Sequence, residues 1–288
     1  MTTWSDRRAR FRALLAGSEC VHPASVFDAI SARIAEELGF QAGIFSGSVA
    51  SQVILGAPDL VLVTLSEFVE QLRRIARGSE LPILVDADHG YGNALNVMRA
   101  VEELEAAGVA ALMIEDTVLP RPFGSDGRAL ISIEEGRRKM AAAVAARRDS
   151  QLVVLARTTI GLSDDFGDTL ARVDAYQATG VDGIFLAGLA TRTQLDAIAQ
   201  VTRLPLVTGG IRPELADPAY LSARGVKICL LGHQPIQAGY QAVYDCLKAM
   251  KEGARSSELP GVPTAQQFAR WLRSDAYNAL TKRYLDGL

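Results

Sequence analysis

The sequence predicts an α/β fold, a (β/α)8 TIM barrel with extra C-terminal helices. Three observations carry that prediction. Eight short apolar runs of strand length alternate with amphipathic segments along the 288 residues. The runs are near-continuous rather than alternating, the pattern of parallel strands buried on both faces. The phrase Ala-x-Gly-Val recurs at 106–109, 178–181 and 223–226 and marks one helix-to-strand turn used repeatedly. Eight βα units in a chain of this length fit one barrel. A doubly wound open sheet is the other arrangement that alternation allows. No Gly-x-Gly-x-x-Gly follows a strand, so a dinucleotide site has no support.

The elements follow in order. The start, Thr3-Trp4-Ser5-Asp6-Arg7-Arg8, reads as a cap into a polar helix and lacks the apolar core of a secretion signal. The expected strands are 19–22, 42–46, 81–86, 110–115, 152–156, 183–186, 204–207 and 227–230. Helices are expected between them, the first capped by Ser25 and running through Glu37 to Gly39. The others are 66–76, 94–107, 133–147 behind Ser132, 164–178, 193–200 and 213–223. Hydroxyl or acidic starts and glycine ends obey the capping asymmetry of helices. Beyond Gly253 come a polar linker, 254–258, then Pro260 and Pro263. A further helix over 264–285 carries Phe268, Trp271, Leu272, Tyr277, Leu280 and Tyr284 at roughly helical spacing. The domain reading is therefore a barrel over 1–253 and a helical extension over 254–288. The extension is expected to pack on a neighbouring subunit of a homo-oligomer; closing its own barrel is the alternative.

Charge and cysteines narrow the function. Lys+Arg 30 against Asp+Glu 33 gives a net charge of −3. That balance, with a pI near 5.7, lacks the basic surface that nucleic acid or an anionic membrane needs. No apolar run reaches the ~18 residues of a membrane helix. Cys20, Cys229 and Cys246 are odd in number and far apart, which suits a reducing cytoplasm and neither a disulfide framework nor a CxxC metal site.

In a barrel of this kind the chemistry sits at the carboxyl ends of the strands. The third and fourth strands end in Asp86-Ala87-Asp88 and Glu115-Asp116. Carboxylates clustered on apolar strand ends repel one another and are costly to desolvate. A divalent cation resolves both problems, and all-oxygen donors favour Mg2+ or Mn2+ over Zn2+. The expected arrangement has Asp86 as the direct ligand, with Asp88 and Glu115 acting through water. The competing possibility is that these acids cap helices or pair with Arg157. Ser46-Gly47-Ser48 offers hydroxyls and N–H groups to a carboxylate or an oxyanion. Gly47, Gly90 and Gly92 permit close backbone approach. Arg157 needs either an anionic substrate or an internal salt bridge with Glu115 to offset its burial. His22 and His233 end strands and could face the barrel mouth, and His89 lies within the acidic loop.

Together these residues resemble the isocitrate lyase / phosphoenolpyruvate mutase superfamily. The stretch Val85-Asp86-Ala87-Asp88-His89-Gly90-Tyr91-Gly92-Asn93 is similar to its Asp-x-Asp-x-Gly-Tyr-Gly signature. Ser46-Gly47-Ser48, Asp59, Ile114-Glu115-Asp116 and Ala156-Arg157-Thr158 follow in matching order. The resemblance implies a barrel, commonly a tetramer built as a dimer of dimers, with a C-terminal helix exchanged between subunits. The carbon–carbon lyases carry a Lys-Lys-Cys-Gly-His loop where this chain has Pro120-Arg121-Pro122-Phe123-Gly124-Ser125, and the missing Cys disfavours isocitrate cleavage. The sixth strand ends Leu186-Ala187-Gly188, without the His of the phosphoryl-processing members. The remaining branch, oxaloacetate decarboxylase, is similar through residues 67–71 and 88–99 and Gly232-His233. It implies Asp86 as metal ligand and Ser48, Arg157 and His233 as substrate contacts. Departures are Thr159-Ile160 after Arg157-Thr158, and Thr208-Gly209-Gly210-Ile211-Arg212-Pro213 after the seventh strand. The expected reaction is Mg2+-dependent decarboxylation of oxaloacetate, or a related β-keto acid, to pyruvate and CO2 through a metal-stabilised enolate. A lyase or hydrolase acting on another α-keto or phosphono acid, methylisocitrate lyase-like or phosphonopyruvate-processing, is the alternative.

Overall fold

The computed structural model describes residues 2–125, 127–163, 165–210 and 212–286. The chain divides into two compact units, 1–232 and 233–288.

The first unit opens with α1 (Trp4–Ala16), capped by Thr3 and Asp6 acting reciprocally. Eight strands follow, the first seven each with a helix after it. They run β1 (Ala24–Ser25), α2 (Ala29–Glu37), β2 (Gly43–Phe45), α3 (Gly47–Ala50), α4 (Leu65–Gly78) and β3 (Ile83–Asp86). They continue with α5 (Ala94–Ala106), β4 (Ala111–Glu115), α6 (Ile133–Ala146), β5 (Val153–Thr159) and α7 (Phe166–Gln177). The last are β6 (Gly183–Ala187), α8 (Arg192–Val201), β7 (Leu206–Gly209), α9 (Pro218–Ala223) and β8 (Val226–Leu230). The strands pair in parallel in the order β1 to β8. Val21 bridges Ile228 in parallel, so the segment before β1 meets β8. The eight parallel strands expected from the apolar runs are therefore present.

Boundaries shifted where local chemistry overrode the pattern. The first strand lies at Ala24–Ser25, later than 19–22. Val21 is bonded to β8 and Ala24 to the residue before β2, with Pro23, which has no N–H to add to a ladder, between them. Ser25 is thus in the strand, and Asp28 caps α2 instead by accepting from Ser31 N–H at 2.7 Å. The segment 213–223 splits into a 3-10 turn, Pro213–Leu215, and α9, because Pro218 forces Asp217 out of the helical region and into a cap. The expected start of α7 at Asp164 lies outside the described residues, as does Ile211.

Alternation along the strands sorts the core. Ile44, Leu84, Ala111, Met113, Val153, Leu155, Phe185, Val207 and Ile228 form one buried cluster, which α1 joins through Phe11 and Leu15. These are the inward positions of a barrel, filled by layers of side chains. The next inward step toward the carboxyl ends is Asp86, Glu115 and Arg157, so the same periodicity that packs the core aims the charged residues at the mouth.

The second unit holds α10 (Gln234–Lys251), α11 (Ala265–Trp271) and α12 (Ser274–Tyr284). The helix expected over 264–285 breaks at Arg273, whose φ is +55°. No glycine or proline marks that break, so apolar spacing ran through it. Among the described residues no helix is long and apolar enough to cross a membrane, and Cys20, Cys229 and Cys246 are free.

Candidate active site

The site is built from the ends of β2 to β5. Strand β2 runs into Ser46, whose hydroxyl accepts from Val49 N–H at 3.2 Å and so starts a helical turn. Its Oγ stands 2.9 Å from Ser48 Oγ. The Ser-Gly-Ser stretch, read from sequence as a source of hydroxyls and N–H groups for an anion, forms this cap. A Cβ on Gly47 would lie 2.7 Å from Asp88 Oδ1, so the bare glycine is what admits the Asp88 carboxylate.

The loop after β3 is laced to β4. Ala87 N–H donates to the Met113 carbonyl at 3.0 Å, and Glu115 N–H to the Asp88 carbonyl at 2.8 Å. Asp88 takes a left-handed φ of +46°, and its N–H donates to Asp86 Oδ1 at 3.3 Å. Gly90, at φ +76°, closes this turn where a side chain would collide with Val97.

Arg157 ties the acids together. Its Nη1 donates to Asp86 Oδ2, and its Nη2 lies 3.1 Å from Glu115 Oε2. The guanidinium also lies 5.5 Å over the Phe185 ring. Register explains the pair, since Glu115 and Arg157 are directly opposed across β4 and β5. Of the two possibilities for Arg157, the internal salt bridge is therefore present, and with it the Arg157 pairing that competed with a cation for the acids. Arg128, from the excursion between β4 and α6, reaches within 3.7 Å of the same Glu115 oxygen. That excursion is anchored at its base, where Val118 N–H donates to the Ala129 carbonyl and Ile131 N–H to the Asp116 carbonyl, both at 2.8 Å.

Protonation follows from burial and like charge. Burial pushes Asp88 up to about 8, and Asp86, Asp59 and Glu115 add to the shift against Arg157. Burial also raises Glu115, against the pull of Arg157 and Arg128. Burial opposes the charge on Arg157, but Asp86, Glu115 and Asp88 outweigh it and hold the guanidinium above its ordinary value. The Tyr91 phenol is raised by burial and by the neighbouring Asp88 and Asp86.

The donor set is all oxygen, which suits a hard divalent cation. Glu115 Oε2 is buried without a hydrogen bond, because the nearby guanidinium is out of line for one. Among the described residues no three His, Cys, Asp or Glu side chains stand close enough to form a full protein cage.

Other sequence candidates fall elsewhere. Asp116 is fully buried and points away from the acids. Its Oδ2 accepts from Tyr176 OH at 2.7 Å, Thr158 Oγ1 at 2.9 Å and Arg172 Nη1 at 3.1 Å. His22 precedes β1 rather than ending a strand, with Nδ1 2.8 Å from the Cys229 carbonyl. His89 is buried, and burial together with Lys139 brings it down to about 4, so the ring is neutral. His233 is half-buried and begins the second unit at the start of α10. Arg212 is exposed. The spacing of charges missed Lys139, a lysine on α6 that is 3% exposed and donates to the His89 carbonyl at 2.6 Å. A lysine inside the apolar stripe of α6 was its only trace in the sequence.

Comparison with known proteins identifies the family. The phosphoenolpyruvate phosphomutase family model matches residues 11–251. An oxaloacetate decarboxylase of Bradyrhizobium diazoefficiens is 53% identical over 268 residues, 93% of each chain. The solved structure of oxaloacetate acetylhydrolase in complex with the inhibitor 3,3-difluorooxalacetate is 26% identical at a TM-score of 0.86, covering 99% of each chain. A phosphonopyruvate hydrolase, solved with oxalate and Mg++, is 28% identical at a TM-score of 0.85, covering 97% of this chain and 99% of that one. On the match over residues 11–251 and the 53% identity, the chain belongs to the phosphoenolpyruvate phosphomutase family.

Proposed function

We propose that this protein decarboxylates oxaloacetate, or a closely related β-keto acid, to pyruvate and CO2. The observation that carries the reading is the acidic layer of Asp86 and Glu115 around Arg157, with a buried Glu115 oxygen lacking a hydrogen bond. Its support from relatives is the 53% identity to a decarboxylase so named. Asp86 would hold Mg2+ directly, Asp88 and Glu115 would hold it through water, and Mn2+ could take its place. The cation supplies a Lewis acid where negative charge develops on the 2-oxo group.

The remaining roles belong to the chain. Arg157, held between Asp86 and Glu115, orients the substrate carboxylate by its charge. Ser46, Gly47 and Ser48, at the end of β2 beside Asp88, offer hydroxyls and N–H groups to the same carboxylate. His233 positions the departing carboxylate or returns a proton to the enolate. Burial of the site strengthens each of these interactions over its value in water. The reading includes a cytoplasmic homotetramer, a dimer of dimers, in which the 254–288 extension packs on a neighbouring subunit.

Pyruvate release from oxaloacetate tests the proposal. Activity should require Mg2+ and fall with a chelator, and Asp86→Ala should abolish it. His233→Ala should alter rate or selectivity more than metal affinity. Chelator-treated enzyme that turns over oxaloacetate undiminished rejects the reading.

A further inference from the structure

Lys139 is not explained by packing alone. It sits on α6 at 3% exposure, yet lysine is almost never buried without a partner. Its ammonium donates to a backbone oxygen, the His89 carbonyl, at 2.6 Å. Glu135, Asp116 and Glu115 act on it through space against the cost of burial.

The carbonyl it grips belongs to the turn that carries Asp88. Gly90 N–H closes that turn on the Ala87 carbonyl at 2.9 Å. Asp88, its second residue, has a left-handed φ of +46°, which costs free energy in any residue but glycine. Such a conformation persists only where its surroundings hold it. Backbone bonds from β4 hold one side, through Met113 and Glu115. Lys139 reaches the other from α6, at the residue next to Asp88.

We propose that Lys139 is a positioning residue: by fixing the His89 carbonyl it keeps the Asp88 carboxylate beside Asp86, and so sets the affinity of the site for a divalent cation. This rests on the metal reading above. Groups outside the ligands commonly tune metal affinity by 10–100-fold when removed.

Calorimetric titration of the full-length protein with Mg2+ alone tests it. Lys139→Met keeps length and loses the donor, and should weaken Mg2+ binding by about 10–100-fold. At saturating Mg2+ its kcat should largely recover. Lys139→Arg, which retains a donor, should bind Mg2+ nearer the wild-type value. Ile198→Val, in the buried face of α8, controls for lost stability and should leave Mg2+ affinity unchanged. A folded Lys139→Met protein with wild-type Mg2+ affinity overturns the proposal. Should that variant fail to fold, Lys139→Gln, an amide on a shorter arm, takes its place under the same criterion. Wild-type protein that binds no Mg2+ overturns the metal reading itself, a different outcome.

Discussion

Glu115 and Asp116 are neighbours with opposite surroundings. Strand alternation sends Glu115 inward to Arg157 and Asp116 outward to Tyr176, Thr158 and Arg172. The sequence shows four acids at two strand ends; the pleat assigns one of them to a buried hydrogen-bond network and leaves three facing the mouth. Gly47 shows how tight that mouth is. A methyl there would stand 2.7 and 2.9 Å from the two Asp88 oxygens. Gly47→Ala should therefore displace Asp88 and weaken Mg2+ binding by about tenfold or more, with little change in thermal midpoint. Titration of the variant with Mg2+ checks this, and wild-type affinity would mean that the carboxylate moves freely.

At the scale of an element, α1 illustrates what periodicity cannot show. Its sequence is strongly polar, yet it seals one end of the barrel. Phe11 and Leu15 enter the core cluster. Arg8 is buried, donating to the carbonyls of Val109 at 3.0 Å and Glu105 at 2.6 Å and to Asp149 at 2.8 Å. Arg7 caps the end of α4 through the Ala76 and Ser79 carbonyls. Arg8→Ala strands these acceptors and should cost about 3 kcal/mol in denaturant unfolding. It should also change the acid response. Burial pulls Asp149 up, but Arg8 and the Gln151 N–H outweigh it and hold its pKa below the ordinary carboxylate value. A depressed folded pKa contributes stability above the unfolded value of about 3.9, lost as pH falls through the folded value. The wild-type thermal midpoint should thus fall more steeply than that of Arg8→Ala below about pH 5. Parallel slopes would reject the pairing.

For the whole molecule, the second unit bears on assembly. Helix α10 exposes Tyr240, Val243, Tyr244, Leu247 and Met250 at helical spacing, a stripe that water solvates poorly. The proposed tetramer covers apolar surface of this kind. Sedimentation velocity should give a tetramer, and Tyr244→Asp with Leu247→Asp should shift it to smaller species. A wild-type monomer would remove assembly from the reading.

Legible in the chain alone were the eight parallel strands, the helices between them and the acids that end β3 and β4. Those features are local: apolar run length, capping residues and period-two alternation act within a few residues. The pairing of Glu115 with Arg157 was legible only as one of two possibilities; the fit of Asp88 over Gly47 and the grip of Lys139 on the His89 carbonyl were not legible. Each joins residues that share no sequence neighbourhood, and their meeting follows from strand register and helix packing. The electrostatics followed the same division, because a carboxylate such as Asp88 is driven up to about 8 only when burial and three other acids act on it at once.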